Sequence, residues 1–259
     1  MREVKNIVFI GAGNVATNLA IAFHSKGIKI LQIISRDVEH AKLLADKISA
    51  SYSNILDEIN PNADLYIISI NDDAIINIAS SLKIKNSLIV HTSGSVDMNV
   101  LINTSTNCGV FYPLQSFSKD TLVDFNNIPF CIEANTIEDR RMLTELAQIL
   151  SNDVREINSE ERKIIHLAAV FANNFSNYMY LIAEELLSKH NLSFDILKPL
   201  INQTAMKINN RNPEKTQTGP AKRNDLKLIE KHLSLLKDTP EYYEIYKIIS
   251  KNIVDKFHN

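Results

Sequence analysis

The chain has no tryptophan, only six glycines and two cysteines in 259 residues, and no excess of either charge sign. Each shortage excludes something. Two cysteines, Cys108 and Cys131, are too few for a disulfide framework, and two free thiols in a reducing compartment are the simpler reading. Lys and Arg number 28 against 30 Asp and Glu, a formal net charge of −2, so the basic field that nucleic-acid binding needs is missing. No apolar run approaches the roughly 20 residues of a membrane span. The first apolar segment, Ile7 to Ile10 behind Met1-Arg2-Glu3-Val4-Lys5-Asn6, is too short for a signal-peptide core, and no small-residue cleavage site follows it. A cytoplasmic protein without membrane or nucleic-acid partners is therefore expected. No metal is expected either: there is no H-E-x-x-H, no zinc-spaced cysteine pair, and the histidines are scattered. The G-x-S-x-G nucleophile elbow is absent too.

What is present is an ordinary globular composition, 45% hydrophobic and 22% charged, long enough for one large domain or two modest ones. The first half alternates short β-branched runs with helical patterns. Ile7–Ile10, Lys29–Ile34, Asp64–Ile70 and Ser87–His91 read as strands, with shorter candidates at Val110–Tyr112, Pro129–Ile132 and Val154–Ile157. Asn14–Ser25, Val38–Lys47 and Ile137–Leu150 read as helices. Gly27 is the expected left-handed cap of the first helix and Asp37 the expected N-cap of the second. Such alternation predicts an α/β Rossmann domain with a doubly wound, mostly parallel sheet. Strand signal vanishes near Asn158. Arg162–Ser188 reads as one long helix, and Phe194–Asn209, Asp225–Lys237 and Glu241–Phe257 as three more. The expected organisation is a nucleotide-binding domain over 1–157 and an all-helical domain over 158–259.

Gly11-Ala12-Gly13-Asn14-Val15-Ala16 joins the first strand to the first helix in the G-x-G-x-x-A form of a dinucleotide fingerprint. Gly11 permits the tight turn, Gly13 lets the backbone approach a pyrophosphate, and Ala16 keeps helix and sheet close. The free N–H groups of Asn14 and Val15 would face the anion. At the end of the second strand, where an NAD site carries a carboxylate, stand Ser35 and Arg36. A hydroxyl and a guanidinium suit a 2′-phosphate, so NADP is the expected cofactor. Asp37 either caps its helix or turns toward the ribose.

Ligands of open α/β sheets bind beyond the carboxyl ends of the strands. Three segments fall there. Ser69-Ile70-Asn71-Asp72-Asp73 is placed to run under the nicotinamide ribose, with Ile70, Asn71 and Asp72 as contacts; the two aspartates could also cap a helix starting near Ala74. His91-Thr92-Ser93-Gly94-Ser95 groups an imidazole with hydroxyls. His91 and Ser93 are candidates to orient the carboxamide or a substrate carbonyl, against a turn satisfied by its own backbone. Tyr112-Pro113-Leu114-Gln115-Ser116-Phe117 offers Gln115 and Ser116, or simply a rigid turn.

These segments, with "HLAAVFANNF" from His166 and "TGPAKRND" from Thr218, resemble the Rossmann-like proteins that carry a C-terminal DUF2520 domain. Those are relatives of the F420-dependent NADP oxidoreductase, pyrroline-5-carboxylate reductase and 6-phosphogluconate dehydrogenase superfamily. The likeness runs from Gly11 to Leu233. It implies an NADP-dependent dehydrogenase or reductase whose helical domain forms a homodimer and completes the site. Two positions depart from the family pattern: Tyr112 stands where His is common, and Asn224 where Gly is common. The second departure implies a backbone at Arg223–Asp225 that does not require glycine.

In the helical half, His166 and Asn173 are seven residues apart, about two α-helical turns, which would put them on one face. His166 is the expected proton donor, and Asn173 or Asn174 a substrate contact. Arg223 would hold an anionic group, with Asp225 orienting it or capping the next helix and His232 pointing back to the same place. The leading expectation is hydride transfer between NADP and a small carbonyl, hydroxyl or imine compound, with an anionic substrate expected. The alternative is an NADP-binding sensor without turnover.

Overall fold

The computed structural model describes residues 3–82, 84 and 87–258, so the reading of Met1 and Arg2 lies outside the described residues. The chain forms two compact units, one ending at Val170 and one beginning at Phe171.

The first unit is built on one eight-stranded sheet. Its strands are β1 (Asn6–Ile10), β2 (Lys29–Ile34), β3 (Ser51–Ser53), β4 (Leu65–Ile68), β5 (Leu88–His91), β6 (Cys108–Pro113), β7 (Phe130–Ala134) and β8 (Val154–Glu156), in the spatial order 3-2-1-4-5-6-7-8. All adjacent pairs are parallel except β6 with β7. Side chains alternate across each strand. Ile7 and Phe9 enter one core, together with Leu19, Ala20 and Phe23 of α1 (Asn14–Ser25), Leu44 of α2 (Val38–Ile48) and Leu143 and Leu146 of α4 (Ile137–Gln148). Val8 and Ile10 enter the other core, with Tyr66, Ile68 and Ile75 and Ala79 of α3 (Asp72–Ser81). Burial on both faces is why β4 and β5 read as unbroken apolar runs.

The chain leaves β1 toward β2 and β3, then crosses back to place β4 on the other side of β1. The strand order reverses there, and the crevice at that reversal is where such sheets bind ligands. Gly27, at φ 85°, ends α1 as the sequence predicts. The strand expected over Asp64–Ile70 is shorter because its ends have other roles. Asp64 accepts hydrogen bonds from the backbone N–H groups of Lys5 and Asn6, at 3.0 and 2.9 Å, while Ser69 and Ile70 turn into the crevice. The polar edge strand β3 has no apolar alternation to betray it. Pairing with β2 and a 2.8 Å bond from the Ser51 hydroxyl to the Leu31 carbonyl define it.

The long helix expected from Arg162 begins earlier and is interrupted. Helix α5 (Ser159–Ala169) starts at a capping box in which Asn158 and Glu161 each accept from the other's backbone N–H. A π-helical segment, Val170–Phe175, separates it from α6 (Ser176–Ser188). The second unit continues through α7 (Lys198–Asn210), which starts from the 3₁₀ turn Phe194–Leu197, then α8 (Pro213–Thr216), α9 (Leu226–Leu235) and α10 (Pro240–His258). The change of element type thus falls at Asn158, whereas α5 belongs to the first compact unit. Among the described residues no helix is long and apolar enough to cross a membrane.

Candidate functional site

A cleft of about 780 Å³ opens in the first unit over the carboxyl ends of β1, β2, β4 and β5. Its floor is the glycine turn. Gly11 sits at φ 119°, and a Cβ there would lie 2.0 Å from the Ser69 carbonyl oxygen, so no other residue fits this contact with β4. Gly13 differs: a Cβ on it would meet nothing within 4 Å, because the space beside it is the cleft itself. Gly13 is also the N-cap of α1, and it offers no side chain to the first-turn N–H groups. Asn14 and Val15 line the cleft. Ala16 is fully buried in the core, the packing role its place in the fingerprint predicts, and does not line the cleft. A pyrophosphate fits this floor by shape and by the orientation of the free donors.

One end of the cleft is cationic. Ser35 and Arg36 line it as expected, joined by His40 and Lys119, which sequence reasoning did not single out. Asp37 caps α2 by accepting from the His40 N–H at 3.0 Å, and its carboxylate also lies 3.1 Å from the His40 ring. The bond from the His40 backbone holds the Asp37 carboxyl below its ordinary range. Lys119 comes from the loop after β6. The buried Asn18 of α1 fixes that loop by donating to the Ser118 carbonyl at 2.8 Å and accepting from the Val123 N–H.

The other end gathers three segments that are distant in sequence. Ile70, Asn71 and Asp72 line it from β4, Thr92, Ser93 and Gly94 from β5, and Tyr112 and Gln115 from β6, with His166 from α5. Helix α3 begins at Asp72 with Asn71 as its N-cap, so Asp72 and Asp73 occupy the first turn and do not cap a helix at Ala74. Asp72 accepts a hydrogen bond from the Ser95 hydroxyl, and Thr92 donates to the Ser69 hydroxyl at 3.1 Å, so the two loops are stitched together. The Tyr112 hydroxyl lies 3.2 Å from Nδ1 of His166. Gly94 makes this contact possible. A Cβ on it would stand 2.7 Å from the His166 Nδ1 and 2.8 Å from the Tyr112 ring. Burial pushes the Tyr112 hydroxyl up to about 12, which keeps its proton in place.

Ser93 behaves partly as the self-satisfied turn. Its Oγ accepts from the N–H groups of Ser95 and Val96, each at 3.1 Å, while the residue still borders the cleft. His91 does not reach the cleft. It is fully buried at the end of β5, its Nδ1 accepting from the Ser93 N–H at 3.2 Å and its Nε2 without a hydrogen-bond partner. Burial disfavours the imidazolium, as does the nearby Arg162 charge, and the group is pushed down to about 4. The expected carboxamide contact from His91 is therefore replaced by a structural role. Arg162, also fully buried, ties α5 to this loop by donating to the Val96 carbonyl, the Ser159 hydroxyl and, at 2.5 Å, the Glu133 carboxylate. Sequence reasoning missed it because a lone Arg on an amphipathic helix reads as a surface charge. Gln115 borders the cleft and turns its carbonyl oxygen onto the Ser116 N–H at 2.7 Å; Ser116 itself does not line the cleft.

The remaining expected residues lie in the second unit. Asn173 and Asn174 are exposed on the π segment. A π turn takes more residues than an α turn, so the two-turn spacing that would align His166 with Asn173 does not hold. Arg223 is exposed beside Asn224, whose φ of 54° and ψ of 38° are left-handed. The backbone there is thus the glycine-favouring kind after all, and Asn is one of the few residues that tolerates it. Asp225 caps α9, accepting from the Leu228 N–H at 3.1 Å. His232 bonds the Tyr246 hydroxyl at 2.7 Å rather than turning to Arg223.

Among the described residues no cluster of His, Cys, Asp or Glu could hold a metal. The reversal of strand order, the glycine floor and the cationic end define a dinucleotide-binding Rossmann domain followed by a helical unit. The family profile for the domain of unknown function DUF2520 matches residues 128–253, and that for shikimate / quinate 5-dehydrogenase matches residues 2–100. The Bacteroides fragilis protein BF3122, described as a putative NADP oxidoreductase, is 46% identical over 98% of this chain and 99% of its own, with a TM-score of 0.91. Protein TM1727 from Thermotoga maritima is 24% identical over 96% and 99% of the two chains, with a TM-score of 0.77. An imine reductase from Myxococcus stipitatus, in complex with NADP+, shares the fold at 12% identity over 96% and 93%, with a TM-score of 0.65. No curated protein matches. The chain belongs to the family of Rossmann-like proteins with a C-terminal DUF2520 domain.

Proposed function

We propose that the protein is an NADP-dependent oxidoreductase acting on a small carbonyl, hydroxyl or imine compound. One observation carries the reading: a single cleft joins a diphosphate-shaped glycine floor to a cationic end and to an acid–base pair. The bound cofactor would supply the hydride. The chain supplies everything else. Gly13 and the first-turn N–H groups of α1 hold the diphosphate, and Ser35 and Arg36, helped by His40 and Lys119, hold the 2′-phosphate. Ile70 and Asn71 border the nicotinamide half, Ser93 and Asp72 shape the substrate end, and His166 provides the proton. The 46% identical Bacteroides fragilis protein, so described, supports this reading.

The partners and compartment follow as part of the same proposal. Asn173, Asn174 and Arg223 serve an anionic substrate group from the helical unit, and the active form is a cytoplasmic homodimer. The dimer is supported by α7, which packs chiefly on its own preceding turn and on α8 and exposes Leu200, Met206 and Ile208. A 13-residue helix so poorly packed is marginal in water, and a second copy covering it removes that problem. Fluorescence titration tests the cofactor assignment. NADPH is expected to bind at least about 10-fold more tightly than NADH, a difference of about 1.4 kcal/mol, and Arg36→Glu is expected to abolish the preference. Equal affinity for the two nucleotides, or binding of neither, overturns the proposal.

A further inference from the structure

We infer that the Tyr112 hydroxyl, and not the His166 ring directly, delivers the proton to the substrate, with His166 resupplying it through Nδ1. The inference rests on the oxidoreductase reading of the cleft and assigns a catalytic role to a position where the family commonly carries another residue type.

The geometry supports it by connection. At this end of the cleft several other polar side chains are engaged with one another or with backbone. Thr92 donates to Ser69, Asp72 accepts from Ser95, and the Ser93 oxygen accepts from two backbone N–H groups. Tyr112 and His166 both border the cleft, and they are bonded to each other at 3.2 Å. A phenolic oxygen is both donor and acceptor, so it can take a proton on one side while giving one on the other. The burial that holds its proton so firmly makes a free tyrosinate costly. The two transfers must therefore be concerted.

In the reductive direction hydride arrives at the carbon of a C=O or C=N bond. The electron pair of that bond closes onto the heteroatom, which takes the proton from Tyr112 Oη. Oη takes the Nδ1 proton of the His166 imidazolium, the ring is left neutral, and solvent restores its proton. The substrate gains two electrons and two hydrogens, and the nicotinamide is oxidised. Gly94 sets the contact: any side chain there would drive the two rings apart.

Two measurements test this. The first needs no substrate. In apoprotein labelled with ¹⁵N-histidine, the Nδ1 resonance of His166, identified by its loss in His166→Gln, is expected to shift in Tyr112→Phe, because its hydrogen-bond partner is removed. An unmoved resonance overturns the pair. The second uses NADPH with 2-methyl-1-pyrroline and with cyclohexanone as probes. Tyr112→Phe and His166→Gln are each expected to lower kcat roughly 100-fold, with NADPH affinity held within about threefold. The double variant should be no more than about threefold worse than either, because the two groups act in series. A Tyr112→Phe enzyme that keeps more than about a third of kcat overturns the inference and leaves His166 as the direct donor. Wild-type protein that fails to bind NADPH overturns the oxidoreductase reading instead, and the His166 resonance alone then judges the pair.

Discussion

The two compact units spend their apolar side chains in opposite ways. In the first, Ile7, Phe9, Leu19, Ile67 and Phe111 are fully buried, and both faces of the sheet are covered. In the second, Ala221, Ile229 and Leu236 are the only described hydrophobic residues that are buried, while Phe171, Ile196, Leu200, Met206 and Ile248 are each more than half exposed. The helices of both units are hydrophobic at helical spacing, so one by one their sequences look alike. A sheet gives a helix a surface to cover, whereas α7 packs chiefly on the 3₁₀ turn before it and on α8. The first unit closes its own core, whereas the second leaves large apolar side chains exposed, the feature that supports the proposed dimer.

The largest effect that sharpens the contrast comes from paired substitutions. Leu19→Ala empties a site in the first core and should lower the unfolding free energy by about 2–5 kcal/mol in urea titration. Leu200→Ala on α7 should cost less than about 0.5 kcal/mol in protein diluted to the monomer. In the proposed homodimer Leu200→Glu should shift sedimentation toward monomer, weakening self-association by about 100-fold or more. If Leu200→Ala costs as much as Leu19→Ala in the monomer, α7 has a buried partner within its own chain and the contrast fails.

A second test probes the dryness of the first core. His91 is buried as the neutral ring and titrates at about 4, below its unfolded value of 6.5. Between those two values the unfolded chain binds the extra proton and the folded chain does not, so stability rises with pH. The contribution is complete above about pH 6.5 and is lost as pH falls toward 4. From pH 7 to pH 5 the loss is about 2 kcal/mol. It should be absent in His91→Gln, which separates it from the rest of the acid response. Identical pH slopes in the two proteins would show that water reaches this ring.

Much of this was legible in the sequence, and the failures have physical causes. Helix α1, strand β2, the Gly27 stop and the Asp37 and Asp225 caps all rest on local chemistry, which the chain carries with it. The glycine turn was legible because Gly11 faces a backbone contact that no side chain survives. Long-range consequences were not. The π segment at Val170–Phe175 breaks no hydrophobic rhythm, so the helix appeared continuous. The pairing of Tyr112 with His166 spans 54 positions and depends on the bare Cα of Gly94 between them. Nothing in the local pattern marks Arg162 as buried either, because its partner Glu133 lies on β7. His91 looked like a ligand contact because it follows a strand, yet its ring turns into the core.

The smallest test uses a device the two units share. Asp37 and Asp225 are both N-caps, each accepting from the N–H three residues on. Asparagine caps as well as aspartate, so Asp37→Asn and Asp225→Asn should each change stability by less than about 0.5 kcal/mol. The two substitutions differ in what the lost charge faces. Asp37 follows Arg36 and lies 3.1 Å from the His40 ring, two residues that line the cationic end of the cleft, so in the proposed complex its carboxylate would oppose the 2′-phosphate. Removing that charge should tighten NADPH binding by about threefold at low salt, leave NADH nearly unchanged, and lose its effect as the Debye length shrinks at high salt. Asp225→Asn should change neither affinity. A salt-independent gain, or an equal gain for NADH, would mean that Asp37 acts through the shape of the cap rather than through its charge, and that the phosphate-selecting field lies elsewhere in the cleft.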